Sequence, residues 1–229
     1  MTEAPKHPLL AHPEEARIAY LSLLAELCFI DRIFDEQERK HLDTELSKLD
    51  ISDQGKARVY AAVYDLKDSH REAILAGIKA LGSSDLRFTL ISDLFLMSLA
   101  NGYISVEEQE HVIRLGRHLE LKDDQIQAIK QVQFNLWQIR NTPSDSDSFN
   151  NLIKECAASL AGVGVPVAAV AASGSVFGLS AAGITSGLAA LGALVGGGML
   201  AGTVLVVPVI AAGSIWGVKV LVDLIAKDN

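Results

Sequence analysis

Apolar side chains recur every three or four positions along the N-terminal half of the chain, the spacing of one face of a helix. The first such face comprises Ile18, Leu21, Leu24, Ala25 and Cys28. Comparable patterns predict further helices at 36–48, 54–66, 69–81, 85–100, 106–118 and 124–140. Alternating strand patterns are scarce, so we expect an all-α domain over 14–140, preceded by an N-terminal tail, 1–13.

A shift of 70 residues aligns two copies of one unit without a gap. The identical pairs are Arg17 with Arg87, Ser22 with Ser92, Leu24 with Leu94, Glu38 with Glu108, His41 with His111, Leu49 with Leu119 and Asp53 with Asp123. Seven identities over this short stretch exceed what chance gives. The sequence therefore predicts two related helix–loop–helix units that share one core.

The repeat centres on two polar loops, 31–38 and 101–108, each of which follows an apolar helix and opens an acidic one. Over about 14–140 the chain resembles the TerB-like family, whose paired helices join through Asp-Gly, a buried aliphatic residue, and Glu seven positions after the Asp. That family is associated with tellurite resistance and other bacterial stress or membrane-linked systems, and several members are implicated in metal binding. The resemblance implies a divalent metal site at Asp31, Glu38, Asn101 and Glu108.

The loops depart from the family pattern, because Arg32 stands at the first glycine position, Phe34 at the aliphatic position and Asn101 at the second Asp position. Both glutamates also have another explanation. Asp35-x-x-Glu38 and Ser105-x-x-Glu108 are capping boxes, in which two side chains satisfy free N–H groups at a helix start. We favour capping over metal binding.

Composition and motifs exclude several function classes. The net charge of −8 and the lack of a basic stripe argue against nucleic-acid binding. Neither a zinc-ligand pair, a phosphate-binding loop nor a nucleophile elbow is present, so we expect no enzyme activity and no organic cofactor. Residues 1–11 lack the pattern of a secretory signal, so we expect the N-terminal domain in the cytosol.

The C-terminal part has a different composition. From Cys156 to Val218, 63 residues pass without a charged side chain. The polar, proline-containing stretch 141–153 predicts a linker, and 154–229 predicts a transmembrane hairpin, because a bilayer crossing needs about 20 apolar residues. We place the crossings near 157–180 and 186–212, followed by an interfacial helix from Gly213 to Lys227 that carries Trp216.

Glycines spaced four apart place small residues on one helix face, where helices in lipid pack closely. The pairs are Gly174 with Gly178, Gly183 with Gly187, Gly192 with Gly196, Gly198 with Gly202 and Gly213 with Gly217. The glycine-rich core, about 175–210, is similar to the interferon-induced small membrane protein family, which implies insertion into membranes rather than catalysis.

These features predict a protein of the cytoplasmic membrane with its helical domain in the cytosol. We expect the helical domain to bind a protein partner or signal and the glycine faces to form a homo-oligomer in the lipid bilayer, perturbing or permeabilising the membrane during stress or defence. The alternative is a membrane-anchored metal-stress scaffold or metal-binding protein.

Overall fold

The computed structural model describes residues 8–64, 71–72, 74–76, 84–141 and 146–172 of the 229-residue chain. The described residues contain helices and no strands, which confirms the all-α prediction. Within these ranges, a short 3₁₀ helix, Pro8–Ala11, precedes eight α-helices whose two ends are both described: α1 Glu14–Leu27, α2 Glu36–Lys48, α3 Asp53–Ala62, α4 Ser84–Ser98, α5 Val106–His118, α6 Asp123–Asn141, α7 Ser146–Gly162 and α8 Val167–Ala172. Residues 71–72 and 74–76 are helical.

The helix starts reproduce the 70-residue repeat. The first residues of α1, α2 and α3 lie 70 positions before those of α4, α5 and α6. The backbone repeats as well, because Arg32 and Gly102 both have positive φ, at 71° and 86°. Asp50 and Glu120 form a second such pair, at 51° and 62°. The two units therefore share a backbone conformation even where their side chains differ.

Helices α1 and α4 are the central pair of the bundle. They pack against each other, and α1 also contacts α2 and α3 while α4 contacts α5 and α6. Every residue from Ile18 to Cys28 is buried, and so is every residue from Phe88 to Leu99. A buried hydrogen bond of 2.7 Å from the Tyr20 hydroxyl to Asp93 Oδ2 joins the two helices.

The C-terminal end of the bundle differs from the predicted domain boundary. Helix α7 begins at Ser146, inside the predicted linker 141–153, and it packs on α6. Helix α8 packs on α4, and the buried side chains of Leu160, Val165 and Val170 belong to the same hydrophobic core as α1 and α4. The bundle thus extends beyond residue 140 and includes residues predicted to lie in lipid.

This packing corrects the first predicted membrane crossing, 157–180. Its first part is divided between α7 and α8 by a turn in which Gly164 has φ 73° and Val165 N–H bonds back to Leu160 O at 2.9 Å. Within the described ranges, none of the helices is long and apolar enough to cross a bilayer.

The remaining membrane predictions fall on a part of the chain that the structure does not describe. The second crossing, 186–212, and the C-terminal interfacial helix lie outside the described residues. The glycines predicted to pack helices in lipid all lie there too: Gly174, Gly178, Gly183, Gly187, Gly192, Gly196, Gly198, Gly202, Gly213 and Gly217. The glycine-face packing therefore stays a prediction.

Candidate functional site: the paired acidic loops

The first acidic loop is held by its own side chains. Asp31 Oδ1 accepts a hydrogen bond of 2.9 Å from Ile33 N–H, a local turn that tolerates the left-handed Arg32 between them. At the start of α2, Asp35 Oδ1 accepts from Glu38 N–H and Glu38 Oε2 accepts from Asp35 N–H, both at 2.9 Å. The predicted capping box is therefore present.

The second loop repeats this arrangement with other residues. Asn101 Oδ1 accepts from Tyr103 N–H at 3.1 Å across the left-handed Gly102. Ser105 Oγ accepts from Glu108 N–H at 3.1 Å, and Glu108 Oε2 accepts from Ser105 N–H at 2.7 Å. Asn101 replaces the acid of the family motif and can still accept the turn hydrogen bond, because its amide oxygen stands where the carboxylate oxygen of Asp31 stands.

The two loops touch each other. Asn101 Nδ2 donates to Asp35 Oδ2 at 2.9 Å, so an amide of one unit binds the capping acid of the other. An aspartate at position 101 would put two carboxylates in contact, which is unfavourable. The replacement that removes charge from the family motif thus supplies the donor that joins the loops.

Two carboxyl groups beneath the loops are buried. Glu38 and Glu108 are each 3% exposed. Burial, joined by the negative charges of Asp35, Glu108 and Asp31, raises the pKa of Glu38 to about 7 despite the opposing hydrogen bond from Asp35 N–H. Burial likewise raises the pKa of Glu108 despite the opposing hydrogen bonds from Ser105. Its buried Oε1 meets no donor with hydrogen-bond geometry among the described residues.

The Cys28 thiol lies close enough to this pair to respond to it. Burial raises the pKa of Cys28 well above its ordinary value, and the carboxylates of Glu38 and Glu108 raise it further. Its Sγ donates to Leu24 O at 3.3 Å. The thiol therefore stays protonated at neutral pH and acts as a small apolar side chain.

The residues implied as metal ligands do not assemble as a metal site. Asp31, Glu38, Asn101 and Glu108 each already accept a hydrogen bond from a backbone N–H. Within the described ranges, no group of three or more His, Cys, Asp or Glu side chains is arranged to hold a metal ion. These four residues account for loop shape and helix starts, and metal binding there stays a prediction without structural support.

The repeat-equivalent histidines occupy different environments. His111 is buried, and burial together with the charges of Arg114 and Arg71 lowers its pKa to about 4. Its Nε2 lies 3.8 Å from Glu26 Oε2. His41 is partly exposed and lies 3.9 Å from Glu45 Oε1. Identity in sequence therefore did not reveal that the two units have diverged around this position.

The loops also expose apolar side chains that the sequence did not single out. Ile33 and Tyr103, another repeat-equivalent pair, are 63% and 66% exposed, and Val106 beside them is 64% exposed. Ile33 and Tyr103 directly follow Arg32 and Gly102, the residues with positive φ, and Val106 is the first residue of α5. The signal that could have found them is the apolar residue directly after each turn.

The contacts that dock α7 and α8 were also missed by the sequence reasoning. Thr89 Oγ1 on α4 donates to Ala169 O at 3.0 Å, and Gln125 Nε2 on α6 donates to Val163 O at 3.1 Å. Val163 lies in the break between α7 and α8, and Ala169 lies within α8. Side chains of the duplicated bundle thus satisfy the backbone of the segment that follows it.

Comparison with known proteins agrees with this architecture. A family model described as tellurite resistance protein TerB matches residues 17–131, half of the chain. The matched segment contains both loops and runs from α1 into α6. No curated protein and no solved structure matches the chain significantly.

Proposed function

The chain belongs to the TerB family, and from that premise we propose that it is a non-catalytic stress or defence protein whose helical bundle carries a membrane-active C-terminal segment. The bundle is the cytosolic adaptor that receives a partner or signal. The segment is the charge-free remainder, 173–218. It is long enough for two crossings of about 20 residues each.

The observation that supports this proposal most strongly is the docking of α7 and α8. Leu160, Val165 and Val170 are buried in the bundle core, so the root of the apolar segment is fixed to the domain. A flexible polar linker would let the domain and the segment move independently, whereas a packed root ties the position of one to the other. A change in α4 or α6 would therefore act directly on α7 and α8, the helices from which the segment continues.

Assembly of the segment is the second part of the proposal. In lipid no hydrophobic force drives helices together, so close packing of small residues decides which faces associate. The glycine pairs between 174 and 217 provide such faces. A homo-oligomer formed through them would perturb or permeabilise the membrane.

The membrane assignment is tested by expressing the full chain and a variant ending at Ala172, followed by alkaline extraction of membranes. We expect the full chain in the extracted membrane pellet and the shortened chain in the supernatant. Full-length protein in the supernatant would overturn the membrane role. The shortened chain is the matched control, because it retains the entire described bundle.

The assembly step is tested separately with Gly192→Leu combined with Gly196→Leu. The added bulk keeps the segment apolar, so we expect insertion to persist while crosslinked oligomers and dye entry into induced cells both fall. Unchanged oligomers and unchanged dye entry would argue against the glycine faces. If the unmodified protein inserts and forms oligomers but dye does not enter the cells, the segment is a membrane anchor and does not permeabilise the membrane.

The alternative, a membrane-anchored metal-stress scaffold, shares the anchor and differs at the loops. It requires a metal site, and each of the four candidate side chains uses one oxygen for a backbone hydrogen bond. No group of three or more His, Cys, Asp or Glu side chains among the described residues is arranged to hold a metal ion. The described residues provide no specific observation in its favour.

A further inference from the structure

A cleft of about 460 Å³ opens between the first half of α2 and the C-terminal ends of α4 and α6. This volume falls in the range of small-molecule sites, about 300–1,000 Å³. Its apolar side consists of Leu96, Leu99, Ala100 and the indole of Trp137. Leu96 and Leu99 are buried and form the floor.

The second acidic loop holds the indole in place. Gly102, in its left-handed conformation, lies so close to Trp137 that a Cβ on the glycine would be 2.9 Å from Trp137 Cζ2. The ring of Phe134 stacks near the same indole, with centroids 6.4 Å apart. The aromatic wall of the cleft is therefore fixed by its neighbours.

The other repeat unit shows why the cleft is open. The counterparts of Leu96 and Asn141, 70 positions earlier, are Glu26 and Arg71. There Arg71 Nε donates to Glu26 Oε2 at 2.8 Å, so an ion pair occupies the equivalent place. In the cleft a leucine and a short asparagine stand in place of both charged residues. The cleft thus has apolar and uncharged side chains where the other unit has an ion pair.

The mouth of the cleft is polar and carries a cation. Lys40 on α2 lines it and is exposed. The neighbouring acid, Glu45, is paired with Lys48 at 2.9 Å. Lys40 has no ion-pair partner among the described residues, and no acidic side chain lines the cleft. A ligand there meets an apolar floor, an aromatic wall and one ammonium group.

We propose that this cleft binds a small amphiphile with one anionic group, the apolar part lying on Leu96 and Trp137 and the anion at Lys40. A long-chain carboxylate is the simplest member of this class. An acyl chain with a phosphate headgroup has the same chemistry, so the ligand comes either from the free pool or from a bilayer. The site is independent of the proposed membrane role, because it lies wholly on the bundle.

The test uses the full chain with Trp216→Phe, which leaves Trp137 as the only tryptophan. The probe is ω-bromoundecanoate, whose bromine quenches a tryptophan that it contacts. We expect saturable quenching that weakens about two- to fivefold in Lys40→Gln, the change that a single exposed ion pair supports. Lys56→Gln is the matched control, since Lys56 lies on α3 beside Asp53 and away from the cleft.

Two further arms define the chemistry. The corresponding ω-bromo alcohol should bind more weakly than the acid, and Ala100→Phe, which fills the cleft, should abolish quenching while circular dichroism shows an unchanged fold. Vesicles that contain a brominated anionic phospholipid test the bilayer source. Quenching that depends on Lys40 supports the site with either probe. The probe that gives it, the free bromo acid or the brominated vesicle lipid, shows whether the ligand comes from solution or from a bilayer.

The proposal is overturned by any of three results. These are quenching that does not saturate, equal affinity of the Lys40 and Lys56 variants, and equal binding of acid and alcohol. If Ala100→Phe fails to fold, the comparison of Lys40→Gln with Lys56→Gln still decides.

Discussion

The two left-handed loop positions, Arg32 and Gly102, should respond to substitution with opposite signs. A side chain in the left-handed region costs about 1–2 kcal/mol, a cost that glycine avoids. Arg32 bears this cost, and its exposed side chain has no polar partner among the described residues. Arg32→Gly should therefore stabilise the bundle, by up to about 1 kcal/mol once the greater freedom of glycine in the unfolded chain is subtracted.

Gly102→Ala should destabilise for two reasons. The new side chain would bear the same left-handed cost, and its Cβ would lie 2.9 Å from Trp137 Cζ2. Forcing an atom into a packed contact typically costs about 1–3 kcal/mol. Together the two effects predict a loss of about 2–5 kcal/mol. In a Trp137→Phe background only the conformational part should remain, so the double-mutant cycle separates the two contributions.

The assay is urea unfolding of the variant ending at Ala172, with circular dichroism as the signal that monitors unfolding. With a slope of about 2 kcal/mol per molar urea, Gly102→Ala should lower the midpoint by about 1–2.5 M, and Arg32→Gly should raise it slightly. If Gly102→Ala left the unfolding midpoint unchanged, or if Arg32→Gly lowered it as much as Gly102→Ala is expected to, the two loops would not be conformationally equivalent.

The remaining predictions concern the helix caps, the buried ionisable groups and the C-terminal packing. Glu108→Ala should cost about 0.5–2 kcal/mol in urea unfolding with chelator present, because it removes a capping-box acceptor; a loss seen only with added divalent metal would restore the metal site. As pH falls from 6.5 towards 4, His111 binds a proton in the unfolded chain and stays neutral in the folded one, so the free energy of unfolding decreases. The raised pKa of Glu38 has the opposite effect, because the folded chain holds a proton that the unfolded chain releases as pH rises from about 4.5 to 7. Over that rise in pH, the free energy of unfolding should fall by about 1–2 kcal/mol in His111→Gln, and it should rise by a similar amount in Glu38→Gln. Unfolding midpoints with the same pH dependence in both variants would contradict this. Leu160→Ala should cost about 2–5 kcal/mol in the variant ending at Ala172, and a variant ending at residue 145 should unfold at lower urea than that one; no effect of either change would show that α7 is not part of the core.

The repeat and its loops were predictable because local rules determine them. Identities such as Glu38 with Glu108 fixed the register, and the spacing from Asp35 to Glu38 defines a helix start whatever surrounds it. The predicted bounds of α2 and α5, 36–48 and 106–118, agree with the structure for this reason. Side chains that bond to their own loop leave a signature in the sequence.

The C-terminal packing could not be predicted in the same way. An uncharged run is compatible both with lipid and with the core of a protein. Ser159, the single polar side chain in 157–172, does not distinguish the two. The partners that decide the matter, Thr89 and Gln125, lie far away in sequence. The small polar residues around Pro143 resembled a linker, although Ser146 begins a helix.

The cleft was missed because the repeat was compared through its identities. Its cause is a difference, the replacement of Glu26 and Arg71 by Leu96 and Asn141. A paired loss of opposite charges at equivalent positions is visible in the aligned units. Only the fold shows that these positions face one space.

The docking of α7 and α8 also sets the order of events while the chain is being made. Synthesis adds residues from the N-terminus, so α4 and α6 leave the ribosome before the segment that covers them. Their shared apolar face remains uncovered until residue 172 has emerged. The charge-free stretch 173–218 follows directly after it in synthesis. The described bundle can therefore close while the most apolar sequence of the chain is still inside the ribosome or has only just left it.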